Sequence, residues 1–305
     1  MTAKIINVAA AAIINDQAQV LLALRPAHLH QGNKWEFPGG KLEANETPEE
    51  ALKRELKEEL DIDAKSIEPL IELTHQYPEK AVRLHVFIVK DFDGLPKGKE
   101  DQELRWVSKR ELTSYQFPDA NYPIVTAVNL PRFNMITPEL ALFGGSIKKL
   151  FDNVARQREI RDFILQLRLH SCTDAEYCHH VDFLLPKLER LKIEVMLNRA
   201  PSIIRRYSKV GWHVNRSNFE DAQRVLLEGI RPDRISVNCH SIEEWQCMKS
   251  LNPDFALVSP VQATLSHPHQ TALGWETFAQ LSHLVNRPCY ALGGLGDADL
   301  STSIK

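Results

Sequence analysis

The sequence lacks a strong excess of either charge and any long apolar run. Over 305 residues the net charge is −3, which gives no electrostatic reason to expect a nucleic acid polymer or a membrane surface as a partner. The apolar run of residues 8–14 is too short for a secretory signal and lacks a cleavage pattern before Asn15. We therefore predict a buried strand there.

Cysteines are few and form no framework. All five lie in the second half of the chain, and none belongs to a C-x-x-C pair: Cys172, Cys178, Cys239, Cys247 and Cys289. An odd number at these spacings argues against a set of disulfides and against a zinc site. The pattern indicates reduced thiols and a cytoplasmic protein.

The length exceeds that of a typical domain and predicts two domains. An apolar fraction of 43% and a charged fraction of 25% are ordinary for globular proteins. Pro131 and Pro138 bracket a change of pattern, so we predict domains of residues 1–131 and 132–305. The sequence leaves the oligomeric state open.

Residues 37–62 read as a loop, a helix and an exit turn. Thr47 and Glu50 have the spacing of a capping box, in which each side chain accepts a hydrogen bond from the other residue's backbone. Pro48 suits the first helical position, because its missing N–H costs nothing there. The helix is therefore predicted to begin at Pro48.

The winding of this helix separates its side chains into groups. At about 100° per residue it turns three basic residues away from an apolar stripe, namely Lys53, Arg54 and Lys57 away from Leu52, Leu56 and Leu60. Glu55, Glu58 and Glu59 fall beside the leucines, where like charges repel and partial burial needs compensation. A solvated acidic face is the alternative, but the lysines already occupy the solvent side. With Gly39 and Gly40 before it, the pattern favours a site for Mg²⁺.

The stretch resembles the Nudix box, the family signature G-x5-E-x7-R-E-U-x-E-E-x-G-U, in which U is an aliphatic residue. The matching residues are Gly40, Glu46, Arg54, Glu55, Leu56, Glu58, Glu59 and Ile62. Asp61 stands where the family usually has glycine. That glycine ends the helix in a left-handed turn, which Asp tolerates better than most residues, so we expect a strained cap and an intact site.

The resemblance sharpens to the MutT branch of the family, whose members hydrolyse oxidised guanine nucleotides. It covers the span from residue 4 to Pro131, and outside the box it is carried by residues 25–30, 33–37, 98–100 and 117–121. It implies that Glu55, Glu58 and Glu59 hold Mg²⁺, or Mn²⁺ in its place, together with the Gly39 carbonyl. Glu100 is then a further ligand or assists the attacking water.

The same resemblance implies a purine pocket formed by Arg25, His30, Phe37 and Asn121, with Asn121 as the main reader of the base. An amide is suited to this role, since it offers donors and an acceptor together. Plainer interpretations exist: Arg25 as a surface cation, Phe37 as core, Glu100 as a loop charge and Asn121 as a helix cap. The matching order and spacing favour the functional interpretation.

The implied reaction is metal-assisted substitution at phosphorus in a small nucleotide such as 8-oxo-dGTP. The cation neutralises the triphosphate and lowers the pKa of a bound water, while a carboxylate takes the proton. The products are a nucleoside monophosphate and pyrophosphate. Arg54 joins the box carboxylates in the catalytic set, and either Glu55 or Glu100 is the base.

The pattern around the box predicts a mixed sheet packed by helices, and the resemblance implies that this is the α/β/α sandwich of the Nudix family. Predicted strands are residues 4–14, 19–24, 68–76, 83–91 and 104–107, and a short helix is predicted at 123–128. Turn residues at 15–17 separate the first two strands.

After Pro131, short apolar runs alternate with amphipathic segments. Predicted strands are 133–137, 163–169, 193–198, 211–215, 234–239, 255–261 and 288–293, and predicted helices are 174–191, 218–229, 241–250 and 274–286. Repeated β-α units predict an α/β fold whose parallel sheet closes as a barrel. The sequence stops at Lys305, just after the seventh strand, so we expect a (β/α)8 pattern without its last unit.

This half resembles thiamine phosphate synthase and its TenI relatives, which are (β/α)8 barrels. The matching segments are short: 166–168, 211–213, 236–241, 258–261 and 292–295. The synthases have an Asn-Asp pair after the third strand, and its Asp binds magnesium, whereas this chain has Asn198 and Arg199. Their second metal carboxylate is absent as well, which argues against synthase activity.

Three residues of this half remain candidates for a second site. His240 matches the TenI position associated with proton transfer, a role that suits histidine at neutral pH. A histidine bonded to a backbone carbonyl at a strand end is the alternative. Gly293 and Gly294 suit either a phosphate cradle of backbone N–H groups or a tight turn.

The two halves together leave three hypotheses. The first is a hydrolase of oxidised purine nucleoside triphosphates that serves nucleotide-pool sanitation and mutation avoidance, with an accessory barrel. The second is a hydrolase of a thiamine-pathway pyrophosphate that the barrel helps to bind. The third is a ligand-sensing module with a silent site, which the intact set Glu55, Glu58, Glu59 and Glu100 opposes.

Overall fold

The computed structural model describes residues 5–264 and 271–303, in which the chain divides into two compact units. The first unit comprises Met1–Asn129 with Asp297–Lys305, and the second comprises Leu130–Gly296. Residues from Asp297 onward thus group with the first unit, although the sequence pattern assigned them to the second. Within the described ranges, no helix combines the length and the apolar character needed to span a membrane.

The first unit is built on two sheets. Its strands are β1 Ile5–Ile13, β2 Gln19–Leu24, β3 Trp35–Glu36, β4 Gly39–Lys41, β5 Asp63–Gln76, β6 Ala81–Asp93 and β7 Leu104–Ser108. The larger sheet has the order β4-β1-β6-β5, with β1 parallel to β6 and the other pairs antiparallel. The smaller sheet, β3-β2-β7, is antiparallel. The predicted mixed sheet is confirmed, and Lys4 of the first predicted strand lies outside the described residues.

Helices cover both faces of the larger sheet. They are α1 Pro48–Leu60 and α2 Tyr122–Asn129. Alternation along β1 sends Ala9, Ala11 and Ile13 into one core with the leucines of α1, and Ala10 and Ala12 into another core with α2. The predicted α/β/α sandwich is therefore confirmed.

The prediction for α1 is confirmed at both ends. The Thr47 hydroxyl accepts from the Glu50 N–H at 3.3 Å, and the Glu50 carboxylate accepts from the Thr47 N–H at 2.8 Å. Pro48 is the first helical residue. Asp61 ends the helix with φ 58° and ψ 35°, the left-handed conformation expected of a residue that replaces the family's glycine.

The second unit is a nearly closed barrel of parallel strands in sequence order. Its strands are β8 Phe133–Ile136, β9 Phe163–Leu167, β10 Val195–Leu197, β11 Gly211–Val214, β12 Ile235–Cys239, β13 Phe255–Val258 and β14 Cys289–Ala291. The helices are α3 Ile147–Ile160, α4 Asp174–Arg190, α5 Pro201–Ile204, α6 Phe219–Leu227, α7 Ile242–Met248 and α8 Gly274–Val285, and α9 Leu300–Ser303 follows in the first unit. The seven predicted strands are confirmed.

Inward and outward side chains alternate along the barrel strands. In β9, Phe163, Leu165 and Leu167 pack outward in the main core of this unit, whereas Ile164 belongs to a separate inner cluster with Met196. Between β8 and β14, the structure records no ladder pairing in its described part. Instead, the Tyr290 hydroxyl donates to the Pro131 carbonyl just before β8.

Candidate active site

The loop before α1 approaches that helix very closely. A Cβ atom on Gly40 would lie 2.2 Å from the carboxyl carbon of Glu55, and one on Gly39 would lie 2.1 Å from the Ala9 carbonyl oxygen. Gly39 also has a φ of +140°, a conformation that other residues rarely adopt. Gly39 is therefore required where the loop backbone passes β1, and Gly40 leaves room for the Glu55 carboxylate of α1 against the loop backbone.

Arg54 connects the acidic side chains of this region. Its Nε and Nη2 donate to the two carboxylate oxygens of Glu46, each at 2.9 Å. Its Nη1 donates to Glu55 at 2.9 Å and to Glu58 at 3.2 Å. The hydrogen bonds to Glu46 and, less strongly, to Glu55 raise the pKa of Arg54 above its ordinary value. Arg54 thus turns away from the leucine stripe, as predicted, but its guanidinium lies among these carboxylates and fixes them.

Glu59 lies among like charges. Burial is the main cause that raises the pKa of Glu59 to about 8, and the carboxylates of Glu55, Glu100 and Glu36 add to the rise. A backbone hydrogen bond from Gly39 lowers the pKa without offsetting them. We call these four residues, Glu36, Glu55, Glu59 and Glu100, the acid cluster.

The loop after β6 brings Glu100 to the end of α1. The Lys99 N–H donates to the Glu59 carbonyl at 2.9 Å, and Gln102 Nε2 donates to the same carbonyl at 3.3 Å. The Gln102 side-chain oxygen accepts from the Glu100 N–H at 2.8 Å. A Cβ on Gly98 would lie 2.3 Å from the Gln102 carbonyl oxygen, so only glycine permits this tight loop. Glu100 thus reaches Glu59 across a long sequence separation.

The donor chemistry of the acid cluster fits a hard divalent cation. No three His, Cys, Asp or Glu side chains of the described residues form a ready-made metal site. Carboxylate oxygens crowded by like charge are nevertheless the ligands that such a cation would compensate, and Glu36, Glu55 and Glu59 are partly buried while Glu100 is exposed. Glu55, Glu59 and Glu100 are the side chains placed to hold it. Glu58 is 62% exposed, so the predicted partly buried flank does not include it.

The residues predicted to hold a purine lie around β3. The Phe37 side chain is only 3% exposed and stacks on Phe117 at 5.7 Å, so its ring is core, as the plainer interpretation had it. Asn121 ends a 3-10 turn, Asp119–Asn121, that follows Phe117, and its N–H donates to the Pro118 carbonyl at 2.8 Å. Within the described part of the chain, the Asn121 amide has no side-chain hydrogen bond and remains available to a ligand.

Arg25 and His30 form one connected edge of this region. Arg25 Nε and Nη2 donate to the His30 carbonyl at 3.2 and 3.1 Å, and Nη1 donates to the Glu36 carboxylate. The His30 ring meets the edge of Tyr77 at 5.3 Å, and Tyr77 lies in the turn between β5 and β6. Sequence reasoning missed Glu36 and Tyr77, because neither belongs to the box or shows a periodic signal.

The inner side chains at the carboxyl ends of the barrel strands form a polar network. His213 contacts Ser236 Oγ through Nδ1 and Asn238 Oδ1 through Nε2, both at 2.9 Å. Complete burial lowers the pKa of His213 to about 4, so this histidine is neutral near pH 7. Asn198 Nδ2 donates to the His213 carbonyl at 3.1 Å. The sequence match at 211–213 gave no reason to assign His213 a role.

His240 lies beside this network with an acidic partner on α7. Its Nδ1 lies 2.6 Å from a Glu244 carboxylate oxygen, and its N–H donates to the same oxygen at 2.8 Å. This hydrogen bond is the main cause that raises the pKa of His240 above its ordinary value. The partner of the His240 ring is thus a carboxylate and not the backbone carbonyl that the alternative interpretation expected.

Arg199 and the glycine pair have structural roles. Arg199 Nη2 donates to the carbonyls of Leu169 and Cys172, so this position holds a guanidinium where a synthase would need a metal carboxylate. The magnesium site of the synthases does not fit these residues. Cβ atoms on Gly293 and Gly294 would clash with Pro260 and Ala263 at 2.7 and 2.3 Å, which supports the tight-turn interpretation.

Comparisons with known proteins match both units. Residues 9–127 match the NUDIX domain family, and residues 136–305 match the thiamine monophosphate synthase family. The 8-oxo-dGTP diphosphatases of Escherichia coli and Haemophilus influenzae are 37% and 42% identical over 122 and 125 residues, which are 40% and 41% of this chain and 95% and 92% of those proteins. The CTP pyrophosphohydrolase of Escherichia coli is 40% identical over 124 residues, 41% of this chain and 91% of that protein. The chain therefore belongs to the Nudix hydrolases through its first unit and to the thiamine monophosphate synthase family through its second.

Proposed function

We propose that the first unit is a nucleotide pyrophosphohydrolase that converts 8-oxo-dGTP and related oxidised purine nucleoside triphosphates to the monophosphate and pyrophosphate. The observation that carries this proposal is the acid cluster, in which Glu59 lies half-buried among like charges against the loop of Gly39 and Gly40. The similarity to two 8-oxo-dGTP diphosphatases supports the substrate class. Mg²⁺ is the proposed metal, and Mn²⁺ is expected to substitute for it.

The acid cluster and Arg54 have different proposed roles at the phosphates of the substrate. A divalent cation, when bound, supplies charge neutralisation for the triphosphate and lowers the pKa of a water. Glu55, Glu59 and Glu100 would hold the cation, while Arg54 keeps Glu55 and Glu58 oriented from the side through hydrogen bonds of 2.9 and 3.2 Å. The water's proton passes to Glu55 or to Glu100. Positioning and charge stabilisation dominate such a substitution, so the protein forms no covalent bond.

The Asn121 amide is the proposed reader of the base. Its side chain has no hydrogen bond within the described residues, and it belongs to the 3-10 turn Asp119–Asn121 that follows Phe117, the residue stacked on Phe37. An amide that donates and accepts together can match the 6-keto and N7–H groups of an 8-oxoguanine edge. The aromatic pair then serves as the rigid base of the pocket rather than as a stacking face, since Phe37 is buried.

The test is a side-by-side measurement of kcat/KM with Mg²⁺ for 8-oxo-dGTP, dGTP, CTP and thiamine diphosphate, with products separated by anion exchange. We expect strong preference for 8-oxo-dGTP with release of pyrophosphate. Glu59→Gln should lower kcat at least about hundredfold, because it removes a carboxylate that would bind the cation. Glu49→Gln, an exposed carboxylate in the first turn of the same helix, is the matched control and should retain turnover. Equal activity of Glu59→Gln and wild type would refute the site.

Two other substrate classes have a specific observation in their favour. The similarity to a CTP pyrophosphohydrolase favours a pyrimidine triphosphate, and the family match of residues 136–305 favours a thiamine-pathway pyrophosphate. A preference for CTP would remove the purine-reading role from Asn121. A preference for thiamine diphosphate would make the two units parts of one pathway. No turnover of any of the four compounds would favour the sensing module.

A further inference from the structure

The guanidinium of Arg25 is held by two different segments of the first unit. Its Nε and Nη2 both donate to the carbonyl of His30, at 3.2 and 3.1 Å, within the segment of residues 25–33, which we call the 25–33 loop. Its Nη1 donates to the carboxylate of Glu36 on β3. Arg25 is therefore fixed in one orientation rather than free as a surface cation.

Glu36 needs this partner. Its side chain is 25% exposed, as is that of Arg25, so both charges are largely removed from water. Deleting one member of a largely buried ion pair is destabilising, because the other charge is left without compensation. Glu36 also belongs to the acid cluster, which supplies only further negative charge. Arg25 is thus the cation that compensates the negative charge of Glu36.

Backbone hydrogen bonds hold the 25–33 loop both in its middle and near its ends. In the middle, the Leu29 N–H donates to the Pro26 carbonyl at 3.1 Å and the Gly32 N–H donates to the Leu29 carbonyl at 2.9 Å. The Asn33 N–H donates to the Arg25 carbonyl at 3.1 Å, and the Arg25 N–H donates to the Lys34 carbonyl at 2.9 Å. The middle of the loop is tied to the rest of the unit by the His30 carbonyl, through Arg25, and by the contact of the His30 ring with Tyr77. The Arg25–Glu36 pair therefore links the middle of the loop to β3.

We propose that Glu36 is a positioning residue for nucleotide recognition: it fixes the Arg25 guanidinium and, through it, the 25–33 loop. The His30 ring of this loop contacts Tyr77, which is hydrogen-bonded to the Ala120 backbone next to Asn121. The proposal rests on the proposed function, since it takes the ligand of this pocket to be a purine nucleotide. Glu36 acts through Arg25 and does not itself touch the substrate or the metal. It links β3, which leads into the buried Phe37, to the loop at the pocket edge.

A double-mutant cycle tests whether Glu36 acts through Arg25. Glu36→Gln should raise KM for 8-oxo-dGTP about tenfold with kcat changed less than about threefold, which corresponds to the loss of one charge-assisted hydrogen bond. Glu36→Asp should restore part of the affinity. Arg25→Ala should raise KM at least as much, and the double variant should be no worse than Arg25→Ala alone. Glu103→Gln, from the exposed Arg105–Glu103 pair of the same unit, is the matched control and should leave KM unchanged.

Additive effects in the cycle, or a weaker half-saturation by Mg²⁺ in Glu36→Gln, would place Glu36 at the metal and overturn the proposal. Amide hydrogen exchange measured by NMR provides a readout that needs no turnover. In Glu36→Gln and in Arg25→Ala, the amides of Gly32 and Asn33 should exchange at least about fivefold faster than in wild type. Unchanged exchange would also overturn the proposal. Absence of nucleotide hydrolysis by the wild type would instead refute the proposed function, while the exchange experiment still decides the role of Glu36.

Discussion

At the scale of single residues, Glu59 shows that the site without a bound ligand has an electrostatic cost to stability. Its carboxyl has a pKa of about 8 in the folded protein and an ordinary value of 4.5. The folded state therefore keeps the proton while the unfolded chain releases it, so the metal-free protein loses stability as pH rises from about 4.5 to about 8. This cost is what a bound cation would remove.

Glu59→Gln should accordingly stabilise the metal-free protein at pH 8 and leave it nearly unchanged at pH 4, where the wild-type carboxyl is also neutral. Mg²⁺ should reverse the order by raising the Tm of the wild type and not that of the variant. Differential scanning calorimetry at the two pH values, with and without Mg²⁺, measures both effects. A variant that is less stable than wild type at pH 8 without metal would contradict the like-charge account.

A substitution of Arg54 can separate the effect of carboxylate orientation from the effect of the positive charge. Arg54→Lys keeps one positive charge but cannot bond Glu46, Glu55 and Glu58 together, because an ammonium lacks the planar fork. We expect kcat to fall about tenfold to hundredfold with retained secondary structure, measured by steady-state kinetics and circular dichroism. Lys53→Arg, the exposed neighbour on α1, is the control and should change neither quantity. Full activity of Arg54→Lys would show that charge alone suffices.

At the scale of elements, local signals were sufficient for α1 and for the barrel strands. The capping box, the proline and the leucine stripe act within one helix, and each barrel strand is a short apolar run. The helix α3 was not predicted, since only Leu150 and Val154 of it are buried and its apolar stripe is short. The orientation of Arg54 and the role of Glu36 were not predictable either. Both depend on contacts between segments distant in sequence, which no local pattern encodes.

The inner faces of β11 and β12 give a prediction about pH. His213 has a pKa of about 4 in the folded state against an ordinary value of 6.5. Between these two pH values, the unfolded chain therefore binds a proton that the folded barrel does not bind. Stability is therefore full above pH 6.5 and is lost as pH falls from 6.5 toward 4, by about 3 kcal/mol at the lower end. His213→Asn should flatten this dependence in urea unfolding followed by tryptophan fluorescence, since Trp212 is buried next to it. An equally steep loss in the variant would assign the effect to other groups.

At the scale of the whole molecule, one chain joins a Nudix unit to a barrel with a buried polar network around His213. All residues assigned to nucleotide hydrolysis lie in the first unit, and the Nudix match ends at residue 127. The barrel has His240 with Glu244 and the buried His213, and Arg199 stands where the resemblance to the synthases leads one to expect a metal carboxylate. The sequence could show this departure and could not show that Arg199 is bound to backbone carbonyls. The two halves therefore need to be tested within the same full-length protein.

His240→Asn in the full chain separates the hypotheses for the whole molecule. If the barrel is an accessory to nucleotide hydrolysis, kcat/KM for 8-oxo-dGTP should stay within about twofold of wild type, because no step at the acid cluster uses His240. Glu59→Gln in the same assay provides the inactive reference. If the barrel instead helps to bind a thiamine-pathway pyrophosphate, His240→Asn should lower turnover of thiamine diphosphate and leave 8-oxo-dGTP unaffected. A fall in 8-oxo-dGTP hydrolysis alone would make the barrel part of the nucleotide site and would contradict the division of function between the units.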